Sequence, residues 1–327
     1  MDLKNRWDKL EPAGSEVFRQ IRFPGECYAE LYLALDAENQ RCLVLYLPQN
    51  LHENYAGFRP KPHANLSIAF SYFEHGAGLI IKLKNAQMAE LFDDLILSLF
   101  KRIAAIQDEK EYTSKLISTY WDWGSFFEKS STTDLSQAEI KGLAGELVFL
   151  QSLLQNTTIN KEEVLQSWCG VYGDDKDFIL KDHVFEIKAI SSSGHEVKIS
   201  SEYQLEPVSE KKLYLVVIEL NTADPTDQKS FSLREKYLEI KLHIIKSGVE
   251  LHSLVKALAE KGVNEQMLEK YEHYRFAFCG MRCYEADHEE FPVLIKSRIK
   301  EGIKNLSYNI ELGKIARFVR ELEYRNI

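Results

Sequence analysis

The stretch DFILKDHVFEIKAI, residues 177–190, limits the fold more than any other in this 327-residue chain. Apolar, strand-forming runs lie on either side of Lys181-Asp182, which predicts a hairpin closed by a two-residue turn. That turn sets Leu180 opposite His183 and Asp177 opposite Glu186, and residues so opposed have Cβ atoms about 5 Å apart. Two carboxylates at that spacing repel unless a cation bridges them. Lys-Asp is not the Asn-Gly type that two-residue turns prefer, so a bulge that shifts the register stays open. Strand alternation puts Glu186 and Lys188 on one face, and Phe185, Ile187 and Ala189 on the other.

Two readings fit the hairpin alone equally well. In one, the charges are simply its solvated face. In the other, they hold a hard divalent cation such as Mg²⁺, which takes oxygen ligands and keeps several waters. Asp177, Glu186 and the backbone carbonyl of Ile187 then serve as ligands. Lys188 orients or helps deprotonate a metal-bound water, or stabilises charge on a phosphate.

Flanking segments add to the second reading. Ser136-x-x-Glu139 is a capping box and predicts a helix over 136–155. Ile140, Leu143, Ala144, Leu147 and Leu154 form its apolar stripe, and Glu146 lies about 90° off that stripe at the helical twist per residue. No other charged residue lies between Lys141 and Lys161. A carboxylate in such surroundings is costly unless it is paired or metal-bound. The plain alternative is a glutamate at the margin of a partly buried helix. Downstream, Ser201-x-x-Gln204 reads as the start of another helix. Gln204 is either a hydrogen-bonding partner for a water or phosphate, or a surface residue.

The length suggests about two domains. Three aromatic-rich strands, then a hairpin within 65–84 and a helix over about 86–106, predict a smaller α+β domain at 1–130. The polar break SSTTDLS at 130–136 precedes a second domain at 131–327. There a helix, the hairpin, strands at 197–200 and 213–220, a helix at about 248–272 and a strand at 274–284 predict an α/β fold: a mixed β-sheet flanked by helices. SRIKEGIKN, from Ser297, reads as a helical stretch with a basic surface; Arg298, Arg275 and Arg282 are candidates for phosphate-backbone contact.

No run reaches the roughly 18 apolar residues of a membrane span. The N-terminus is mixed in charge and without an apolar signal region, so a cytoplasmic protein is expected. Five scattered cysteines argue against a disulfide framework. His183 and His195 read as exposed turn and loop residues. A net charge of −9 implies that a partner or a metal supplies the attraction if the ligand is nucleic acid. No G-x-x-x-x-G-K-[ST], G-x-S-x-G or H-E-x-x-H occurs.

Glu146 on a helix, Asp177, the Glu186-Ile187-Lys188 triplet on the next strand and Gln204 downstream together resemble the PD-(D/E)XK nucleases. LSQAEIKGLAGELVFL, SSEYQL and IKNLSYNIEL resemble one bacterial family within that superfamily, the PD-(D/E)XK motif proteins, long described only as a domain of unknown function. Lys176 stands where the motif has proline, and Asp174 and Asp175 are rivals of Asp177 as first acid. The resemblance implies a restriction-endonuclease-like core with a four-stranded mixed sheet. It implies Mg²⁺- or Mn²⁺-dependent hydrolysis of DNA, with Glu146, Asp177 and Glu186 as acidic ligands and Lys188 as the catalytic lysine. It further implies a restriction or phage-defence setting, with other proteins of such a system as partners; a homodimer is compatible. A catalytically silent subunit that scaffolds a defence complex is the alternative, and RNA or branched DNA is a third possibility for the substrate.

Overall fold

The structure is a computed structural model and describes residues 3–10, 18–74, 76–128, 134–168, 176–303, 305–322 and 324. Asp174 and Asp175, and most of the SSTTDLS break, lie outside the described residues. The chain divides into two compact units, Met1–Ser131 and Thr132–Ile327. Both mix helices with sheet. Among the described residues, no helix is long and apolar enough to cross a membrane.

The first unit contains α1 (Lys4–Leu10), β1 (Arg19–Arg22), β2 (Glu30–Leu35), β3 (Arg41–Leu47), α2 (Gln49–Tyr55), β4 (Leu66–Phe73), β5 (Gly76–Leu83), α3 (Ala89–Ile103) and α4 (Glu109–Gly124). Its antiparallel sheet runs β1-β2-β3-β5-β4. The turn between β2 and β3 follows from its side chains: Asp36 Oδ1 accepts from the backbone N–H of Glu38 and Gln40, and Asn39 takes φ 58°. At Gly78 a Cβ would fall 2.0 Å from Leu45 O, so only glycine lets β5 pass this close to β3.

The second unit opens on α5 (Gln137–Asn156), followed by α6 (Lys161–Gln166), β6 (Phe178–Ile179), β7 (His183–Ile190), β8 (Glu196–Ile199), β9 (Lys212–Thr222), β10 (Ser230–Ser232), α7 (Leu233–Lys246), α8 (His252–Glu260), α9 (Glu265–Lys270), β11 (Arg275–Glu285), β12 (Tyr308–Glu311) and β13 (Val319–Arg320). The capping box is present: Ser136 Oγ accepts from Glu139 N, and Glu139 Oε2 accepts from Ser136 N at 2.8 Å. The main sheet runs β10-β11-β9-β7-β6, with β13 on β11. β7 and β9 are parallel; β6–β7 and β9–β11 are antiparallel, so the sheet is mixed.

The two faces of that sheet have different covers. On one, α5 lies over β7: Phe149 packs its ring against Phe178 and Phe185, with centroids 5.1 and 5.0 Å away. Gly145 permits this, because a Cβ there would stand 3.0 Å from Ala189 Cβ. On the other face Val184, Leu213, Leu215 and Val217 bury against Val197 and Ile199 of β8, Ile310 of β12, Leu205 and Phe318.

Several expected elements differ. The helix expected at about 248–272 is two, α8 and α9, broken at Gly262 with φ +70. α7 was not expected, although Ser232 and Glu235 form a second capping box at its start. One 3₁₀ turn, Lys296–Arg298, runs into SRIKEGIKN, and no longer helix follows among its described residues. His183 is no exposed turn residue; it starts β7, 9 % exposed, stacked on Phe185 and Tyr214. Burial pushes the Cys42 and Cys283 thiols up to about 12, which leaves them protonated at neutral pH.

Phe149 joins helix to hairpin, so Phe149→Ala should destabilise the second unit by about 3–5 kcal/mol, read by denaturant unfolding.

Candidate active site

The hairpin sets the geometry. Phe178 pairs with Phe185 and Ile179 with Val184, and Leu180 N donates to His183 O at 2.8 Å. This is the register of the Lys181-Asp182 turn, without a bulge, so Asp177 falls level with Glu186. β6 pairs over two residues only, while β7 runs on beside β9 to Ile190. Where β6 has not yet begun, the Asp177 side chain takes the place of a ladder partner. Its Oδ2 accepts from Ile187 N at 2.7 Å.

Glu186 is 2 % exposed. Its Oε1 accepts from Lys188 Nζ at 2.7 Å, while its Oε2 is buried without a hydrogen-bond partner. Strand alternation is what brings the two residues together on one face. Lys188 Nζ also donates to Gln204 Oε1 at 3.1 Å, and that oxygen accepts from Ser200 N at 2.7 Å. Gln204 thus reaches the lysine, but not from a helix: residues 201–205 form turns. Ser-x-x-Gln there serves local turn bonds, with Ser201 Oγ accepting from Tyr203 N at 3.3 Å. The turn is tied to the hairpin by the buried Lys176, whose ammonium donates to the carbonyls of Tyr203 and Gln204 at 2.6 and 2.8 Å.

Glu146 approaches from the other side. α5 covers the Ile187 and Ala189 face of β7, whereas Glu186 and Lys188 point to the opposite face. The three acids nevertheless sense one another at the sheet edge, with Asp177 between. Burial raises the Asp177 carboxyl well above its usual range, and the charges of Glu186 and Glu146 add to the rise. The Ile187 N–H and Lys261 oppose it. Burial likewise raises Glu186, against the pull of Lys188 and Lys176.

Glu146 itself is fully engaged. Lys261 Nζ donates to Oε1 at 2.6 Å and to Oε2 at 2.7 Å, and Trp168 Nε1 donates to Oε2 at 2.7 Å. Among the described residues, no three His, Cys, Asp or Glu side chains are grouped so as to hold a metal ion. The structure therefore joins Glu186, Lys188 and Gln204 by hydrogen bonds and Asp177 to the Ile187 backbone, and it brings Asp177, Glu186 and Glu146 into electrostatic reach of one another.

Lys261, Lys176 and Trp168 were not anticipated. In the sequence Lys176 stands out only as the residue in place of the motif's proline. Lys261 lies 115 residues from its partner, and no local pattern marks it. Of the basic candidates elsewhere, Arg275 is paired with Glu235 at 2.9 Å and Arg282 with Glu219, while Arg298 is exposed at the end of a 3₁₀ turn.

Fold and site together define a mixed α/β protein with a buried cluster of acids and lysines at the edge of a hairpin. Over residues 3–313 the chain matches the family described as "Putative PD-(D/E)XK family member, (DUF4420)", and it belongs to that family. No curated protein and no solved structure matched the chain.

Two outcomes follow from these contacts. The fold favours protonated Asp177, so this group stabilises the native state below the ordinary aspartate value, about 3.9. That contribution is lost as pH rises through the elevated native value. Asp177→Asn keeps an acceptor for Ile187 N and removes the charge; with chelator present, its Tm should exceed that of the unsubstituted protein at pH 7, and the gap should close toward pH 4. Trp168→Phe leaves a smaller ring against Phe178, loses the N–H to Glu146 and opens a void at a fully buried position, and should cost about 2–5 kcal/mol in denaturant unfolding.

Proposed function

We propose that this protein is a metal-dependent nuclease that hydrolyses DNA phosphodiester bonds in the bacterial cytoplasm, within a restriction or phage-defence system. The observation that carries this reading is Glu186: one carboxylate oxygen is held by Lys188, and the other is buried and unpartnered beside Asp177. A buried anionic oxygen without a donor is costly, and a divalent cation is the partner that would satisfy it. The donor set is all oxygen, which suits Mg²⁺ or Mn²⁺. Asp177, Glu186 and the Ile187 carbonyl would hold the ion. When bound, it would polarise the phosphate and make water a stronger nucleophile.

The chain's own groups do the rest. Glu186 and Gln204 hold the Lys188 ammonium between them, from where it would orient the attacking water and offset negative charge on the phosphate. Gln204 Oε1 accepts from Ser200 N, which keeps the amide from rotating away. The mixed strands β6-β7-β9-β11 with α5 across them support reading the second unit as a restriction-endonuclease-like core. Association into a homodimer or with other defence proteins belongs to this proposal.

Purified protein incubated with plasmid DNA and Mg²⁺ should nick or cut it, and Lys188→Ala should lower the rate by about 10²–10⁴-fold. Equal cleavage by both proteins would remove Lys188 from its role. RNA and branched DNA in the same panel decide the polymer. One observation favours a second reading, a catalytically silent subunit that scaffolds a defence complex: among the described residues, three acids do not form a metal cage. Undiminished protection from phage in cells carrying Asp177→Ala would select it.

A further inference from the structure

Glu146 and Glu186 are both buried, yet they differ in what remains for an ion to use. The Glu146 carboxylate already accepts from Lys261 on both oxygens, at 2.6 and 2.7 Å, and from Trp168 at 2.7 Å. An ion could take it only by displacing the lysine. Glu186 keeps one oxygen buried and unpartnered.

The backbone beneath Lys261 is fixed. Lys261 is the C-cap of α8, and the helix closes in a Schellman motif. Gly262, at φ +70, donates its N–H to Ala259 O, and Val263 donates to Leu258 O, each at 2.9 Å. Val263 and Leu258 are both buried, the apolar contact that accompanies this motif. A lysine on such a cap holds its ammonium in place with little further loss of backbone freedom. Its charge also opposes, as the smallest of several influences, the rise that burial imposes on the Asp177 carboxyl.

We propose that Lys261 is the resident cation of this site: paired with both oxygens of Glu146, its ammonium supplies the positive charge a second metal ion would bring, so the site loads one divalent ion, on Asp177 and Glu186. The proposal rests on the nuclease reading given above. Two-metal sites use their cations to stabilise both the attacking and the leaving oxygens of an in-line displacement. Here fixed charge on the Glu146 side replaces one of the two, and two protein carboxylates match what a single Mg²⁺ usually takes.

Mn²⁺ titration of the full chain, followed by calorimetry and by electron paramagnetic resonance, tests this without turnover. One ion should bind per chain. Glu146→Gln should keep that ion with Kd changed by less than about threefold, whereas Asp177→Asn and Glu186→Gln should each weaken it by more than about tenfold. Lys261→Met frees the Glu146 carboxylate and should admit a second ion. Two ions on the unsubstituted protein overturn the proposal, as does a tenfold loss in Glu146→Gln. A folded Lys261→Met that still holds one ion does the same, with circular dichroism confirming the fold; if that variant does not fold, the other two arms decide. No Mn²⁺ on the unsubstituted protein defeats the metal-dependent reading itself, a different result from two.

Discussion

One hydrogen bond determines where this hairpin stops behaving as sheet. Ile187 N donates to Asp177 Oδ2 at 2.7 Å, at the level where β6 has not yet begun. A buried backbone N–H without an acceptor costs about 1–3 kcal/mol. The usual remedy is another residue of strand. A carboxylate supplies the acceptor instead, and it brings a negative charge to the sheet edge. Because the edge of β7 is satisfied by a side chain, α5 and the 201–205 turn can both reach the same short stretch of strand. The bond is thus structural and electrostatic at once, which is why Asp177 is held in a setting that disfavours its charge.

The other charges are arranged around that fixed point. Lys188 is bound to Glu186 and Gln204, Lys261 to Glu146, and Lys176 to two backbone carbonyls. Buried ion pairs contribute little to stability, because desolvation offsets most of the attraction. Breaking one partner, however, leaves an uncompensated charge. The cluster is better understood as a device for holding ammonium groups and carboxylates in set positions than as a source of stability. The pairing is incomplete at Glu186 Oε2, buried without a hydrogen-bond partner, and that atom separates this cluster from a set of closed salt bridges.

The hairpin was legible because its signals are local. Period-two alternation placed Glu186 with Lys188, and the two residues between apolar runs set the register against Asp177, despite turn chemistry that is not the preferred one. The capping box at Ser136 marked the start of α5 for the same reason: its contacts are three residues apart. Resemblance groups Gln204 with Lys188, and the two side chains meet; pattern puts it on a helix where the chain forms turns, since serine followed by a polar residue three positions later serves turns as well as helices. The helix through 248–272 was overextended because apolar periodicity continues across Gly262, and only the positive φ there shows the break. His183 was misjudged from its place beside the turn; aromatic stacking on Phe185 and Tyr214 keeps it inside. Lys261 and Trp168 could not have been found, because nothing in their own neighbourhoods refers to Glu146.

The acidity of the chain bears on how such a site meets a polyanion. A net charge of −9 opposes the approach of phosphate, and screening weakens that opposition beyond about 8 Å at physiological salt. What a phosphate would meet at contact range is different. Lys176, Lys188 and Lys261 stand among Glu146, Asp177 and Glu186, so the formal charges of the cluster balance when all three acids are ionised, as they would be around a bound cation. Under the nuclease reading, one added divalent ion turns a near-neutral pocket positive, and attraction for the backbone then depends on metal more than on surface lysines. Arg275 and Arg282 fit this view, since their charges are already committed to Glu235 and Glu219. Discrimination by such a protein would come from what the metal-loaded edge of β7 can admit, not from long-range steering by the molecule as a whole.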